Sequence, residues 1–219
     1  MTPLHLPDSH AATTVAISLV SLLTGYALGR FLPYLFQNRG EAGLARAVTS
    51  RFTAPDYHLL NHLTLRVGDG TTQIDHVLVC RFGVFVIETK HFSGWIFGSP
   101  EDRYWTQSQL RGKYRFQNPI RQNYKHVCAV RELLDFLPPE VIQSVVVFTG
   151  EAQFKTPIPD GVFDLQAFIE YLATRTTEVL TPNRVQFSVG RLETTRLALT
   201  RKTDVEHAQR IRSRFGNLN

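Results

Sequence analysis

Three residues in the stretch from Thr72 to Lys90 have the types and spacing for chemistry on a phosphate: Asp75, Glu88 and Lys90. The stretch reads as two apolar runs joined by a tight turn, the first carrying an acid near its start and the second ending in Glu88-Thr89-Lys90. Buried strands seldom hold unpaired acids. A loop of two or four residues centred on Arg81 and Phe82 sets Asp75 directly opposite Glu88, with Cβ atoms about 5 Å apart. Lys90, two residues on, points to the same face as Glu88. Gly83 closes the turn, where positive φ is expected.

Two carboxylates this close repel unless a cation lies between them. Few carboxylates, several waters and a substrate phosphate suit a hard divalent ion, Mg²⁺ or Mn²⁺. The Lys90 ammonium would then position a water or offset charge on the phosphate. The same three residues would also serve as a salt-bridged strand end, Lys90 pairing with Glu88 or Asp75. Spacing leaves both readings open.

Other elements must position these residues. Gly40-Glu41 opens a short helix on which Glu41, Leu44 and Val48 share a face, so Glu41 is either a partner of the helix dipole or an acid reaching toward the site. Tyr57 to Val67 reads as the first strand, and Gly68-Asp69-Gly70 as a turn into the central hairpin. The hairpin is apolar on both faces and belongs in mid-sheet. Asn118 is a good N-cap and Pro119 a good first residue for a helix to about Phe136, with Ile120, Tyr124, Val127, Val130 and Leu134 on its apolar side. Gln122 and His126, four apart, flank that side and could face the catalytic edge. After Pro138-Pro139, Ile142 to Phe148 is a buried strand. His58, His62 and His76 are read as packing or surface groups, with only His91, beside Lys90, in reserve as a ligand.

Gly40-Glu41, Gln73-Ile74-Asp75-His76, Gly83-Val84-Phe85-Val86-Ile87-Glu88-Thr89-Lys90 and Phe116-Gln117-Asn118-Pro119-Ile120-Arg121-Gln122-Asn123, in that order, resemble the nuclease-related domain family. That family is assigned to the PD-(D/E)xK, restriction-endonuclease-like superfamily; here Ile74 stands where the strict motif has proline. The resemblance implies an α/β fold with an αβββαβ core and a mixed central sheet. It implies a metal-dependent nuclease in which Asp75, Glu88 and the Thr89 carbonyl bind Mg²⁺ or Mn²⁺, Lys90 acts on the reacting phosphate, and Glu41 and Gln122 support. Nucleic acid, DNA foremost, is the expected partner, and a homodimer is open. A non-catalytic binding module of the same fold, or a membrane-surface scaffold, is the alternative.

Charge is unevenly spread along the 219 residues. The net charge of +5 falls entirely in 184–219, where eight basic residues face three acids. That tail suits phosphates, an anionic leaflet, or a solvated helical face. Between Arg103 and Lys125 lie six basic residues and no acid, interleaved with Tyr104, Trp105, Tyr114, Phe116 and Tyr124. This composition fits a nucleic-acid groove or a hairpin with a packed aromatic face. Two cysteines exclude a zinc ribbon and point to a reducing compartment. Ser9 to Gly29 carries no formal charge; as a helix it is about 31 Å long, enough to span a bilayer. With Arg30 and Arg39 following it, the expectation is a single-pass membrane anchor with the rest of the chain cytoplasmic. The organisation expected is an anchor at 1–37, a nuclease-like domain at 38–150 and a basic helical extension at 151–219. Within the extension, helices are expected over 164–173, 191–199 and from Thr203 to about Gly216.

Overall fold

The computed structural model describes residues 39–68, 70–110 and 112–197. Residues 39–49 form helix α1. Three antiparallel strands follow, β1 (Tyr57–Val67), β2 (Gly70–Cys80) and β3 (Gly83–Lys90), and then β4 (Gly94–Phe97), β5 (Tyr104–Gln109) and β6 (Gly112–Gln117). Helix α2 (Pro119–Leu133) leads to β7 (Ile142–Phe148), and the short strands β8 (Ala152–Phe154) and β9 (Val162–Asp164) precede α3 (Leu165–Ala173) and α4 (Pro182–Thr195).

The order helix, three strands, helix, strand is thus present, with β4 to β6 inserted between β3 and α2. The fold is α/β with two mixed sheets. The larger has the order β1-β2-β3-β7-β9, with β7 parallel to β3 and β9 parallel to β7. The smaller has the order β6-β5-β4-β8, with β8 parallel to β4.

Apolar residues on both faces of the central hairpin explain its place in the middle of the large sheet. Val77, Val79, Val84 and Val86 pack with Val127 and Val130 of α2 and with Val185 and Leu192 of α4. Leu78, Phe85 and Ile87 pack on the other side with Leu44 and Val48 of α1 and with Phe168 and Leu172 of α3. Strands covered on both faces read as continuous apolar runs, as these do.

The turn is a two-residue loop, Arg81 and Phe82, closed by Gly83 at φ 142°. Its register runs from Cys80 opposite Gly83 to His76 opposite Ile87, and regular pairing ends there, one residue short of Asp75 and Glu88.

Three local expectations are corrected. Helix α2 stops at Leu133, and its Tyr124 is 62% exposed, because the stripe that meets the sheet runs through Asn123, Val127 and Val130. Helix α4 starts at Pro182, nine residues before the expected Arg191, since Thr181 caps it by accepting from Arg184 N. It ends at Thr195, where the chain turns away and Leu197 N donates to Thr64 O at 2.9 Å. The expected membrane span at 9–29 and the tail helix from Thr203 lie outside the described residues. Among the described residues no helix is long and apolar enough to cross a membrane.

Candidate active site

The carboxyl end of β3 gathers the polar groups. Glu88 is 1% exposed, and its Oε1 accepts from Lys90 Nζ at 2.5 Å. Lys90 Nζ also donates to Gln122 Oε1 of α2 at 3.1 Å. Asp75 Oδ2 accepts the backbone N–H of Thr89 at 2.8 Å, so this acid is tied to the main chain between Glu88 and Lys90. Four of the residues singled out from the sequence, together with Thr89, therefore form one connected cluster.

Two irregularities frame Asp75. The α2-side core takes Val79 and Val77 in strict alternation and then slips by one residue to Ile74. Across the ladder from Asp75 stands His62, a non-glycine residue at φ 53° between regular pairs on either side. Such a conformation is uncommon outside glycine and persists where surrounding contacts hold it. Here His62 Nδ1 lies 3.2 Å from Glu41 Oε2.

Glu41 arrives because α1 lies tight against the sheet. A Cβ on Gly40 would come within 2.6 Å of Thr149 Oγ1 and 2.7 Å of His91 Cβ, so only glycine lets the helix approach this closely. Glu41 itself is 5% exposed, and its charge reaches Asp75. His91, held in reserve from the sequence, packs here against Thr149, its Nδ1 3.2 Å from Thr149 Oγ1.

Helix α2 is anchored by Asn118, fully buried. Its Oδ1 accepts from Ile120 N at 2.9 Å, and its Nδ2 faces the carbonyls of Ser99, Pro100 and Asp102. Residues four apart share a helix face, so the same cap points Gln122 at Lys90 and His126 at Glu88. His126 Nε2 lies 3.3 Å from Glu88 Oε2, while its Nδ1 is 2.7 Å from Thr72 Oγ1. The first contact is within ion-pair range but too poorly aligned for a hydrogen bond, and the geometry leaves Glu88 Oε2 buried without a hydrogen-bond partner.

The electrostatics separate the two acids. Burial, then the charges of Glu88 and Glu41, push the Asp75 carboxyl well above its ordinary range. Burial pushes Glu88 up too, but Lys90 and His126 outweigh it and hold Glu88 below its usual value. Burial and neighbouring His62 bring His76 down to about 3, so it stays neutral, its Nδ1 2.7 Å from Asn61 Oδ1. The hydrogen bond that His62 donates to the Glu41 carboxylate raises its pKa, against the opposing effect of its partial burial.

The donor set fits a hard divalent cation. A buried carboxylate oxygen without a hydrogen-bond partner, Glu88 Oε2, faces the same cluster as a second acid that resists ionising without a positive neighbour. Among the described residues no three His, Cys, Asp or Glu side chains form a cage. Two carboxylates, the Thr89 carbonyl and water suit Mg²⁺ rather than a structural metal.

Asn123 and His62 were not singled out as site residues from the sequence, whereas His126 was read with Gln122 as able to face the site. Asn123 is fully buried, and its Nδ2 lies within 3.0 Å of Val86 O, Ser144 Oγ and Val145 O, locking α2 onto β3 and β7. An asparagine interrupting the apolar stripe of Ile120, Val127 and Val130 was the available signal.

A mixed sheet between helical layers, with acids and a lysine at one strand end, fits the restriction-endonuclease-like class that the sequence resembles. The sequence model described as the nuclease-related domain matches residues 37–149, and the chain belongs to that family, part of the restriction-endonuclease-like superfamily. An uncharacterised protein of Bacillus anthracis is similar, 43% identical over 100 residues, which cover 44% of this chain and 47% of the relative. The chain thus spans about half the length of that curated relative.

Proposed function

We propose that this chain hydrolyses phosphodiester bonds of nucleic acid, DNA foremost, using Mg²⁺ or Mn²⁺. The observation that carries the reading is the convergence of Asp75, Glu88, Lys90 and Gln122 at the end of β3 in a member of a nuclease-related family. Asp75, Glu88 and the Thr89 carbonyl would hold the ion. When bound, it supplies Lewis-acid stabilisation of a phosphoryl oxygen and makes water more acidic.

The protein's own part is positioning and charge. Lys90 has three N–H donors. Two are taken by Glu88 Oε1 on its own strand and Gln122 Oε1 on the facing helix, which leaves the third for a phosphate oxygen. A donor held from two sides needs no reorganisation as charge grows on that oxygen, and loss of one such donor costs about 10²–10³ in rate. His126 flanks Glu88 with its ring fixed by Thr72. Glu41 adds negative potential at Asp75, which favours a cation there. The same reading includes a single-pass anchor at residues 9–29, with the catalytic domain on the cytoplasmic side; its support is the uncharged run and the arginines that follow it.

The test is cleavage of plasmid and of DNA and RNA oligonucleotides by the full-length chain in detergent, titrated with Mg²⁺ and Mn²⁺. Hydrolysis should require the divalent ion and be lost in Asp75→Asn. Cleavage that proceeds in chelator, or survives both Asp75→Asn and Lys90→Ala, overturns the mechanism.

A further inference from the structure

The small sheet has a core face and an open face, and the open face is chemically unusual. Its inner face carries Ile96, Trp105 and Phe116, buried against Val146 and Phe148. Residues paired across neighbouring strands share a face. The outer face is therefore Gln153, Trp95, Ser108 and Lys113 in one row, then Phe97, Thr106 and Arg115, then Tyr104 and Gln117.

Three aromatic rings on that face are left open: Trp95 at 51%, Tyr104 at 42% and Phe97 at 37% exposure. Cations stand over two of them. Lys155 Nζ is 5.0 Å from the Trp95 ring centre, and the Arg115 and Arg103 guanidinium carbons are 5.1 and 5.4 Å from that of Tyr104. None of the four strands contains an acid. Half of this surface lies outside the basic-aromatic run of the sequence, since Trp95, Phe97 and Lys155 come from β4 and from beyond β8.

From this we infer that the outer face of the small sheet is a platform for single-stranded nucleic acid leading to the cluster at Lys90, an inference that rests on the nuclease reading for the strand being the substrate. Open rings set among cations, on strands that carry no acid, match bases with a polyanionic backbone. Rings on alternate residues of one strand, such as Trp95 and Phe97, are about 6.6 Å apart, roughly two residue rises. That is about twice the 3.4 Å rise per nucleotide in a duplex strand, so each ring can take its own base only if the bases are unstacked. A duplex would turn phosphates, not bases, toward the exposed rings.

The platform is also held near the site. Trp95 is five residues beyond Lys90, so their Cα atoms are at most about 18 Å apart. The link between them is braced. Ser93 O accepts from Gln107 Nε2 at 2.8 Å and Gln109 Nε2 at 3.2 Å, and Gly94 N donates to Glu151 O at 3.1 Å.

Intrinsic fluorescence reads this face directly, because the chain has two tryptophans and the other, Trp105, is 1% exposed. The full-length chain is titrated in chelator, so no cleavage occurs, with an oligo-dT strand, a blunt duplex and vesicles rich in anionic lipid. The single strand should quench the emission and bind more tightly than the duplex. Trp95→Ala should abolish the quench and weaken binding about five- to hundredfold, the range for losing one base–aromatic stack. Phe97→Ala should keep the quench but weaken binding, and Lys113→Ala should flatten the salt dependence by about 0.7 in log–log slope.

Equal affinity of wild type, Trp95→Ala and Phe97→Ala for the single strand overturns the proposal. So does tighter duplex binding, or vesicle binding with the Trp95 quench and no oligonucleotide binding. Single-strand binding without metal-dependent cleavage defeats the nuclease reading and leaves the binding surface standing. Cleavage with no effect at Trp95 and Phe97 defeats the platform alone.

Discussion

The backbone N–H of Thr89 donates to Asp75 Oδ2 at 2.8 Å, just beyond the last regular pair of the β2–β3 ladder, His76 opposite Ile87. A side chain thus takes over from the main chain where the two strands stop pairing. The carboxylate held there sits against its neighbour Glu88 rather than swinging into solvent.

This position makes Asp75 a liability for the fold without a cation. A carboxyl whose folded pKa is raised binds its proton more tightly in the folded state. Stability therefore falls as pH rises from the unfolded value, about 3.9, through the raised one, and the loss persists at neutral pH. Asp75→Asn should raise the melting temperature in chelator at pH 7 while abolishing cleavage. Mg²⁺ should stabilise the wild type, by about 2.7 kcal/mol at a hundredfold excess over Kd, and leave Asp75→Asn unmoved. Calorimetry with and without the ion checks both.

Lys90 has the opposite effect on stability. Glu88 is 1% and Lys90 15% exposed in side-chain area, so Lys90→Ala leaves a buried carboxylate short of its main partner. The expected loss is about 3 kcal/mol, the low end for breaking a buried pair, since His126 remains. Adding Glu88→Gln to Lys90→Ala should recover part of it. Glu88 is held below its ordinary pKa, so its contribution is present above the unfolded value, about 4.3, and is lost as pH falls through the folded one. Denaturant melts across acid pH read this.

His62 should titrate above the usual histidine value in the wild type, by NMR of its ring protons, and drop toward that value in Glu41→Gln. A raised histidine stabilises the fold fully below about 6.5, and the contribution disappears as pH climbs through the folded pKa. His76, neutral and buried with a pKa of about 3, should show no titration over the same range.

Two glycines in the first helix should respond in opposite directions to alanine. Gly40→Ala places a Cβ 2.6 Å from Thr149 Oγ1 and 2.7 Å from His91 Cβ, and should cost about 1–3 kcal/mol and displace Glu41. Gly43→Ala meets nothing within 4 Å and should stabilise by about 0.5–1 kcal/mol. Urea melts of the two variants make the comparison, and a drop in cleavage confined to Gly40→Ala would tie the close approach to the site.

How much of this was legible beforehand differs residue by residue. The register of the central hairpin, from Cys80 opposite Gly83 to His76 opposite Ile87, followed from the length of one turn, and the cap at Asn118 from one asparagine before a proline. Both are local rules, which hold wherever the chain folds back or starts a helix. The strands Tyr57–Val67 and Ile142–Phe148 could be read because apolar runs between breakers leave few alternatives. The aromatic run from Tyr104 to Tyr124 could not be sorted that way. Trp105 and Phe116 went to the core, while Tyr104, Tyr114 and Tyr124 stayed exposed. The choice depends on which face of β5 and β6 meets β7, and no local pattern encodes a pairing between sheets.

What the sequence alone determined is the set of reactive groups and the strand that carries two of them, because spacing along one strand and across one turn is short-range geometry. The tertiary structure decided the rest. It brought Gln122 and His126 to the end of β3 from a helix that follows three intervening strands. It seated Glu41 through the close approach of Gly40, and it set His62 at positive φ beside it. Each of these contacts depends on layers packing against a sheet, and packing is settled by the whole buried surface rather than by the residues that end up touching.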